Sequence, residues 1–171
     1  MPSFICGMGH IRPCDDRERE RILAIINAAA EAYRGVIPDD CWHAPYMAAD
    51  ELDRELAVGV RFSGYVADGE LVGVMGFQDV GDLDLIRHAY VLPTAQREGV
   101  GGALLKHLQH GAGRQLLVGT WAAAEWAIRF YRRHGFELVP PSRAVSLLNT
   151  HWSISARQIE TSVVLANPPL E

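Results

Sequence analysis

A chain of 171 residues that is 49% apolar can bury a core of its own and fits one domain over residues 1–171. A charged fraction of 22% and a formal net charge of −5 exclude the basic tail or stripe of a nucleic-acid-binding protein. No apolar run approaches membrane-spanning length, and Met1 to Cys6 lack a basic region followed by a long apolar core, so the expected place is the cytoplasm, away from the membrane.

Residues 4 to 12 alternate weakly and predict a first edge strand. Asp15 with Glu18 three residues on reads as a capping box, opening a helix whose Ile22, Ile26, Ala29 and Tyr33 share one face and which ends near Gly35. Residues 36 to 49 form an irregular segment with Asp39, Asp40, Trp42, His43 and Tyr46, side-chain types that recognise ligands. Asp50 is expected to cap a short helix through Val58. Phe62 to Ala67 and Leu71 to Phe77 read as strands joined at Asp68-Gly69, a hairpin turn whose two positions tolerate positive φ. A looser turn at Asp79 to Asp82 leads to a third strand, Leu83 to Leu92, stopped by Pro93. A glycine-rich turn then starts a helix with Val100, Ala103, Leu104, His107 and Leu108 on one face. Gln115 to Thr120 predicts a buried parallel strand, Trp121 to His134 a helix closed by Gly135, Phe136 to Val139 a strand, residues 142 to 156 a helical insertion, and Glu160 to Ala166 the last strand. Antiparallel strands first and a parallel crossover later predict an α/β fold of the α+β kind: one mixed, mostly antiparallel sheet of about seven strands, with helices on both faces.

The glycine turn carries the chemistry. Gly99, Gly101 and Gly102 at a helix start let backbone N–H groups approach an anion, next to the unpaired donors and positive dipole end of the first turn. The spacing fits neither a dinucleotide fingerprint nor a nucleoside triphosphate loop, because Lys106 is followed by His107 rather than Ser or Thr and three predicted strands come earlier. A cofactor that bears a pyrophosphate is the expectation. Cys6, Cys14 and Cys41 are odd in number with no C-x-x-C spacing and read as reduced thiols; no base is identifiable beside Cys41. His107 and His110 lack a carboxylate to complete a facial set, so no metal is expected. Arg132-Arg133-His134 complements a helix C-terminus.

Gln96-x-x-Gly99-x-Gly101 resembles the acyl-CoA pyrophosphate signature of the GCN5-related N-acetyltransferase (GNAT) superfamily. Downstream, Ala127-x-x-Phe130-Tyr131-x-x-x-Gly135-Phe136 is similar to that family's A-x-x-F-Y-x-x-x-G-F helix, and Glu31 to Met47, with Tyr33 to Pro38 and Trp42, resembles an uncharacterised bacterial branch of it. The resemblance implies acetyl-CoA as acyl donor, a primary amine as acceptor and direct attack in a ternary complex. It also implies a sheet whose fourth and fifth strands splay apart, here between Ala89 to Leu92 and Leu116 to Thr120, to admit the pantetheine arm. In this family's terms Tyr131 is the acid that protonates the leaving thiol, and the N–H of Val91, beside Leu92, steadies the oxyanion. N–H groups of Arg97, Glu98, Gly99, Val100, Gly101, Gly102 and Ala103 would hold the pyrophosphate, with the Gln96 and Arg97 side chains at the rim. Ala124 stands where many relatives have an asparagine that contacts the pantetheine, so one polar tether is missing.

The base stays open among His88 on the fourth strand, its neighbour Asp84, which reads as a solvated strand start, the residues His43, Glu31 and Asp40, and an ordered water. Alternation groups Arg87 with Ala89 and Val91, and His88 with Ile86 and Tyr90, unless a bulge shifts the register. Arg34, Trp42, His43 and Tyr46, with Asn149, Trp152 and Arg157 of the insertion, are expected to shape the acceptor pocket. Arginines there suit an anionic acceptor and the acidic net charge a cationic one, so its identity is open. Family members often dimerise, and the insertion is the expected interface of a homodimer. An acyl-CoA-binding sensor without turnover is the second reading.

Overall fold

The computed structural model describes residues 9–170, so the predicted strand at residues 4 to 12 lies mostly outside the described residues. Its strands are β1 (His10–Pro13), β2 (Arg61–Ala67), β3 (Glu70–Asp79), β4 (Leu83–Val91), β5 (Gln115–Trp121), β6 (Glu137–Leu138) and β7 (Ser162–Asn167). The helices are α1 (Arg19–Ala30), α2 (Ala49–Ala57), α3 (Val100–Gly111), α4 (Glu125–Arg133), α5 (Pro141–His151) and α6 (Ala156–Glu160). The strands form one mixed sheet in the order β1-β2-β3-β4-β5-β7-β6, in which only β4 and β5 run parallel.

Two layers cover the sheet. On one face Val100, Leu104, Leu105 and Leu108 of α3 and Tyr131 of α4 pack on Met75, Ile86, Leu116 and Val118. On the other, Ile22, Ile25 and Ile26 of α1 and Leu52 of α2 cover Phe62, Val66 and Val74, while Ala144 and Leu148 of α5 cover Leu85, Leu117 and Val164. Each such fully buried aliphatic side chain contributes about 1.5–3 kcal/mol.

Several local expectations change. Asp15 accepts from the Arg17 N–H at 2.8 Å, but Glu18 pairs with Arg12 rather than closing a capping box. Asp50 lies inside α2, paired with Arg54, and the cap position is Ala48. His107 is exposed and Leu105 takes its place on the buried face. Trp121 ends β5 instead of opening α4. Asp84 is buried at 3% exposure rather than solvated, and burial pushes its carboxyl up.

The most consequential irregularity is in β4. Arg87 pairs with Gly76 and Tyr90 with Val74, so His88 and Ala89 together stand opposite Met75 as a β-bulge, with His88 at φ +52°. A side chain at position 76 would sit 2.6 Å from the Arg87 carbonyl oxygen, so the bulge needs the bare backbone of Gly76. Past the bulge the alternation is reset. Arg87 and Tyr90 share the α1/α2 face with His88, while Ile86, Ala89 and Val91 face α3 and α4.

Candidate active site

β4 and β5 are paired only from Leu83–Ile86 to Gln115–Val118; from Arg87 and Gly119 onward they separate. The V-shaped gap opens into a cavity of about 1060 Å³ that passes between the strands and is lined from both faces of the sheet. Such a slot follows from the bulge and from helices wedged on either side: without the parallel ladder, backbone donors on the inner edges are left for a ligand.

One of these donors is well defined. Leu92 N–H donates to the Val72 carbonyl at 2.8 Å, and successive peptide groups of a strand point to opposite edges, so the Val91 N–H and carbonyl point into the gap. The Gln96 side chain donates to that carbonyl at 3.2 Å, which leaves the N–H as the free group.

On the α3/α4 side, Arg97 and Gly99 both have positive φ, +68° and +79°, and turn the chain into α3 with no side-chain cap. The first committed donor is Ala103, whose N–H bonds the Gly99 carbonyl at 3.0 Å. The N–H groups of Val100, Gly101 and Gly102 therefore have no helical partner and face the cavity with the dipole behind them. Gly102 is bare for a second reason: a Cβ there would meet His134 Nε2 at 3.2 Å. Arg97, Lys106 and Arg133 line this mouth, and none of the three is paired with a carboxylate among the described residues. This mouth presents uncommitted backbone donors and positive charge of the kind that attracts an anion.

The opposite mouth is built from side chains. Tyr33, Tyr46 and Tyr90 meet at ring-centroid distances of 5.5, 6.3 and 6.5 Å, and Trp126 stacks on Tyr33 at 5.9 Å. Trp121 Nε1–H donates to the Tyr46 hydroxyl at 2.8 Å. Burial pushes Tyr46 up to about 12 and also raises Tyr33 and Tyr90, so all three remain neutral phenols at physiological pH. Glu51 and Glu55 of α2, His43, and Trp152, Ser153 and Gln158 from the insertion complete the wall.

At the throat, His88 Nε2 lies 3.4 Å from Glu55 Oε2, and Arg87 Nε lies 3.9 Å from the same oxygen. Burial acts to raise the Glu55 carboxyl, but His88, Arg87 and Arg54 outweigh it and hold it below its ordinary value. Arg87 is itself fixed by Gln78 Oε1 at 2.7 Å and the His151 carbonyl at 2.5 Å, with its guanidinium 5.4 Å from the Trp152 ring centroid. Tyr131 lines the gap from α4, ringed by Phe130 and Phe136, and burial, then Tyr33, raises its hydroxyl above the usual phenol value.

Of the residues expected from sequence to line the site, His43, Tyr46, His88, Val91, Gln96, Arg97, Gly99, Val100, Gly101, Gly102, Ala103, Tyr131 and Trp152 line the cavity. Seven do not, among them Asn149, whose amide donates to the Val145 carbonyl at 3.0 Å, and Arg157. Leu92 packs on the α1 side, Glu98 points out, and Ala124 is fully buried at the start of α4. Arg34 is exposed, bound to Glu31 at 2.9 Å and lying 4.9 Å over Trp42, whose ring stacks on the outer side of Tyr46. Among the base candidates, Glu31 is thereby engaged, and Asp40 is held by Arg157 at 2.9 Å. Glu55, Arg133 and the paired roles of Arg87 are the additions; a local motif marks none of them.

Residues 61–138 match the family model described as the acetyltransferase (GNAT) domain. Solved structures with the same fold include N-acetylglutamate synthase from Neisseria gonorrhoeae complexed with coenzyme A and N-acetyl-glutamate, at 22% identity and TM-score 0.66. The alignment covers 93% of this chain but 34% of that one, so the chain spans about a third of that enzyme's length. The PaiA N-acetyltransferase from Thermoplasma acidophilum in complex with coenzyme A matches at 14% identity and TM-score 0.65, over 93% of this chain and 98% of the other. The ribosomal-protein-S18-alanine N-acetyltransferase from Escherichia coli matches at 18% identity and TM-score 0.64, over 93% and 92%. No curated protein matches the sequence.

Proposed function

We propose, from the match of residues 61–138 to the acetyltransferase (GNAT) domain and from the shared fold, that the chain moves an acetyl group from acetyl-CoA to a primary amine of a small molecule or peptide, by direct attack in a ternary complex. The observation that carries this is the slot itself: free backbone donors and unpaired cations at one mouth, a polar aromatic chamber at the other, and Tyr131 and His88 between them.

Two proton problems define the chemistry. An alkylamine with pKa ~10.4 is about one part in a thousand neutral at physiological pH, a cost of about 4 kcal/mol. With the three phenols of the acceptor chamber raised by burial, His88 is the group suited to take the first proton of the ammonium and pass it to water. The amine nitrogen then attacks the thioester carbonyl, whose oxyanion accepts from the Val91 N–H, and the C–S bond breaks. Tyr131 gives its proton to the departing sulfur and is restored by the second proton of the attacked nitrogen. Because burial makes its phenol a weaker acid than the thiol, that transfer accompanies bond cleavage rather than preceding it.

We further read the α3/α4 mouth as the entry for coenzyme A, the α2/α5/α6 mouth as the entry for the acceptor, and the working compartment as the cytoplasm. The described residues contain no helix long and apolar enough to cross a membrane. The test is release of free thiol when the protein meets acetyl-CoA and a panel of amines. A release that depends on one class of amine supports transfer; coenzyme A binding with no release for any amine supports the acyl-CoA sensor instead.

A further inference from the structure

We infer that Glu55, a residue of α2 outside every motif, is the positioning residue for His88: its carboxylate fixes which imidazole nitrogen carries the proton and holds the ring at the throat of the slot, an inference that rests on the acetyl-transfer reading above.

The bulge moves His88 out of the strand's alternation and onto the α2 side, at a φ of +52° that a non-glycine residue adopts only when its surroundings hold it there. Two things do so. The imidazole stacks beside the Phe62 ring at an interplanar angle of 27°, with centroids 6.3 Å apart, and its Nε2 faces Glu55 Oε2 at 3.4 Å. Neither atom has a hydrogen-bond partner among the described residues and both are out of reach of solvent, so each is left with the other as its facing polar group, at ion-pair distance. A carboxylate accepts only, so the nitrogen that faces it carries the hydrogen, and Nδ1 keeps the lone pair. Arg87, 3.9 Å from the same oxygen and anchored to β3 and α5, keeps Glu55 ionised and in place.

In the reaction a proton passes from the acceptor's ammonium to Nδ1. The ring becomes an imidazolium whose Nε2–H is bound by the carboxylate; Glu55 itself neither gains nor loses a proton, and deprotonation by water restores the ring.

Two measurements test this. The first needs no turnover: 15N shifts of the His88 ring in the whole protein report its tautomer. The Nε2–H form is expected in the native chain, with loss of that bias in Glu55→Gln. An Nδ1–H form in the native chain, or unchanged populations in the variant, overturns the inference while leaving acetyl transfer intact. The second is a double-mutant cycle on thiol release from acetyl-CoA with an alkylamine, a polyamine, an amino acid and a short peptide as acceptors. His88→Gly suits the positive φ, so the backbone is kept, and kcat is expected to fall about 10²-fold and to recover in part with added imidazole. Glu55→Gln alone is expected to cost about tenfold in kcat with the KM for acetyl-CoA unchanged, and nothing further in the His88→Gly background. Losses that multiply in the double variant would mean Glu55 acts independently of His88 and would overturn the assignment. Absence of thiol release from the native chain with every amine instead strikes the acetyl-transfer reading, and the tautomer still answers for Glu55.

Discussion

The two mouths of the slot are made in different ways. The α3/α4 mouth is mostly backbone: a left-handed Gly99, three uncommitted N–H groups and the end of a helix, all within one short run of chain. Its charge comes from Arg97, Lys106 and Arg133, none of them paired with a carboxylate among the described residues. The α2/α5/α6 mouth has no such run. Its walls are side chains brought from Tyr33, Tyr46, Glu55, His88 and Trp152, and its one charged cluster is closed on itself through Glu55, His88 and Arg87. A backbone cradle suits a ligand part that never changes, such as a pyrophosphate, whereas a side-chain chamber can be rebuilt for a different acceptor without disturbing the cradle.

That contrast can be broken most sharply at the residue between the mouths. Tyr131→Phe removes only the hydroxyl from a buried ring, so the fold is kept while thiol release is expected to fall about 10²- to 10³-fold with little change in the affinity for coenzyme A, measured by calorimetry. Equal rates for the two proteins would take Tyr131 out of the chemistry.

A smaller effect, but on both rate and stability, is expected at Gly76. Alanine there meets the Arg87 carbonyl at 2.6 Å and must push the bulge away. A loss of about 1–3 kcal/mol in denaturant unfolding is expected, with a fall in kcat as His88 shifts. If the variant is as stable and active as the native protein, the bulge does not position the site.

The cradle side is probed by Arg133→Glu. Its expected signature is a KM for acetyl-CoA several-fold higher and less sensitive to salt, at an unchanged KM for the acceptor. A change confined to the acceptor would reverse the assignment of the mouths.

The smallest effect belongs to the closed end of the V, where Asp79 before β4 grips Arg114 before β5 at 2.7 and 3.0 Å. Arg114, then the Gly81 N–H, hold the Asp79 carboxyl down at about 2. A depressed carboxyl contributes stability that is present above its unfolded value near ~3.9 and lost as pH falls towards about 2. Asp79→Asn is therefore expected to melt slightly below the native protein at neutral pH, with the two curves converging as the solution is acidified. A gap that stays constant with pH would mean that the pair contributes through packing alone.

How much was legible follows the same division. The strands from Arg61 onward, the hairpin at Asp68-Gly69 and the glycine cradle can be read from local pattern because each depends on residues near one another in sequence. The alternation along β4 misleads after Arg87, since one extra residue in a bulge flips every later side chain to the other face. Asp84 reads as solvated because strand position does not reveal what covers a residue, and Arg34 reads as a pocket residue because its type suits one.

By itself, then, the order of residues determined a mixed sheet with covered faces and a glycine-bearing helix start with uncommitted N–H groups, because hydrophobic period and glycine conformation act over a few residues. Only the folded chain decided that β4 bulges at His88, that Glu55 comes from a helix 33 positions earlier to meet it, and that Trp152 walls the α2/α5/α6 mouth. Those are meetings between distant segments, set by packing across the sheet, and no local signal encodes them.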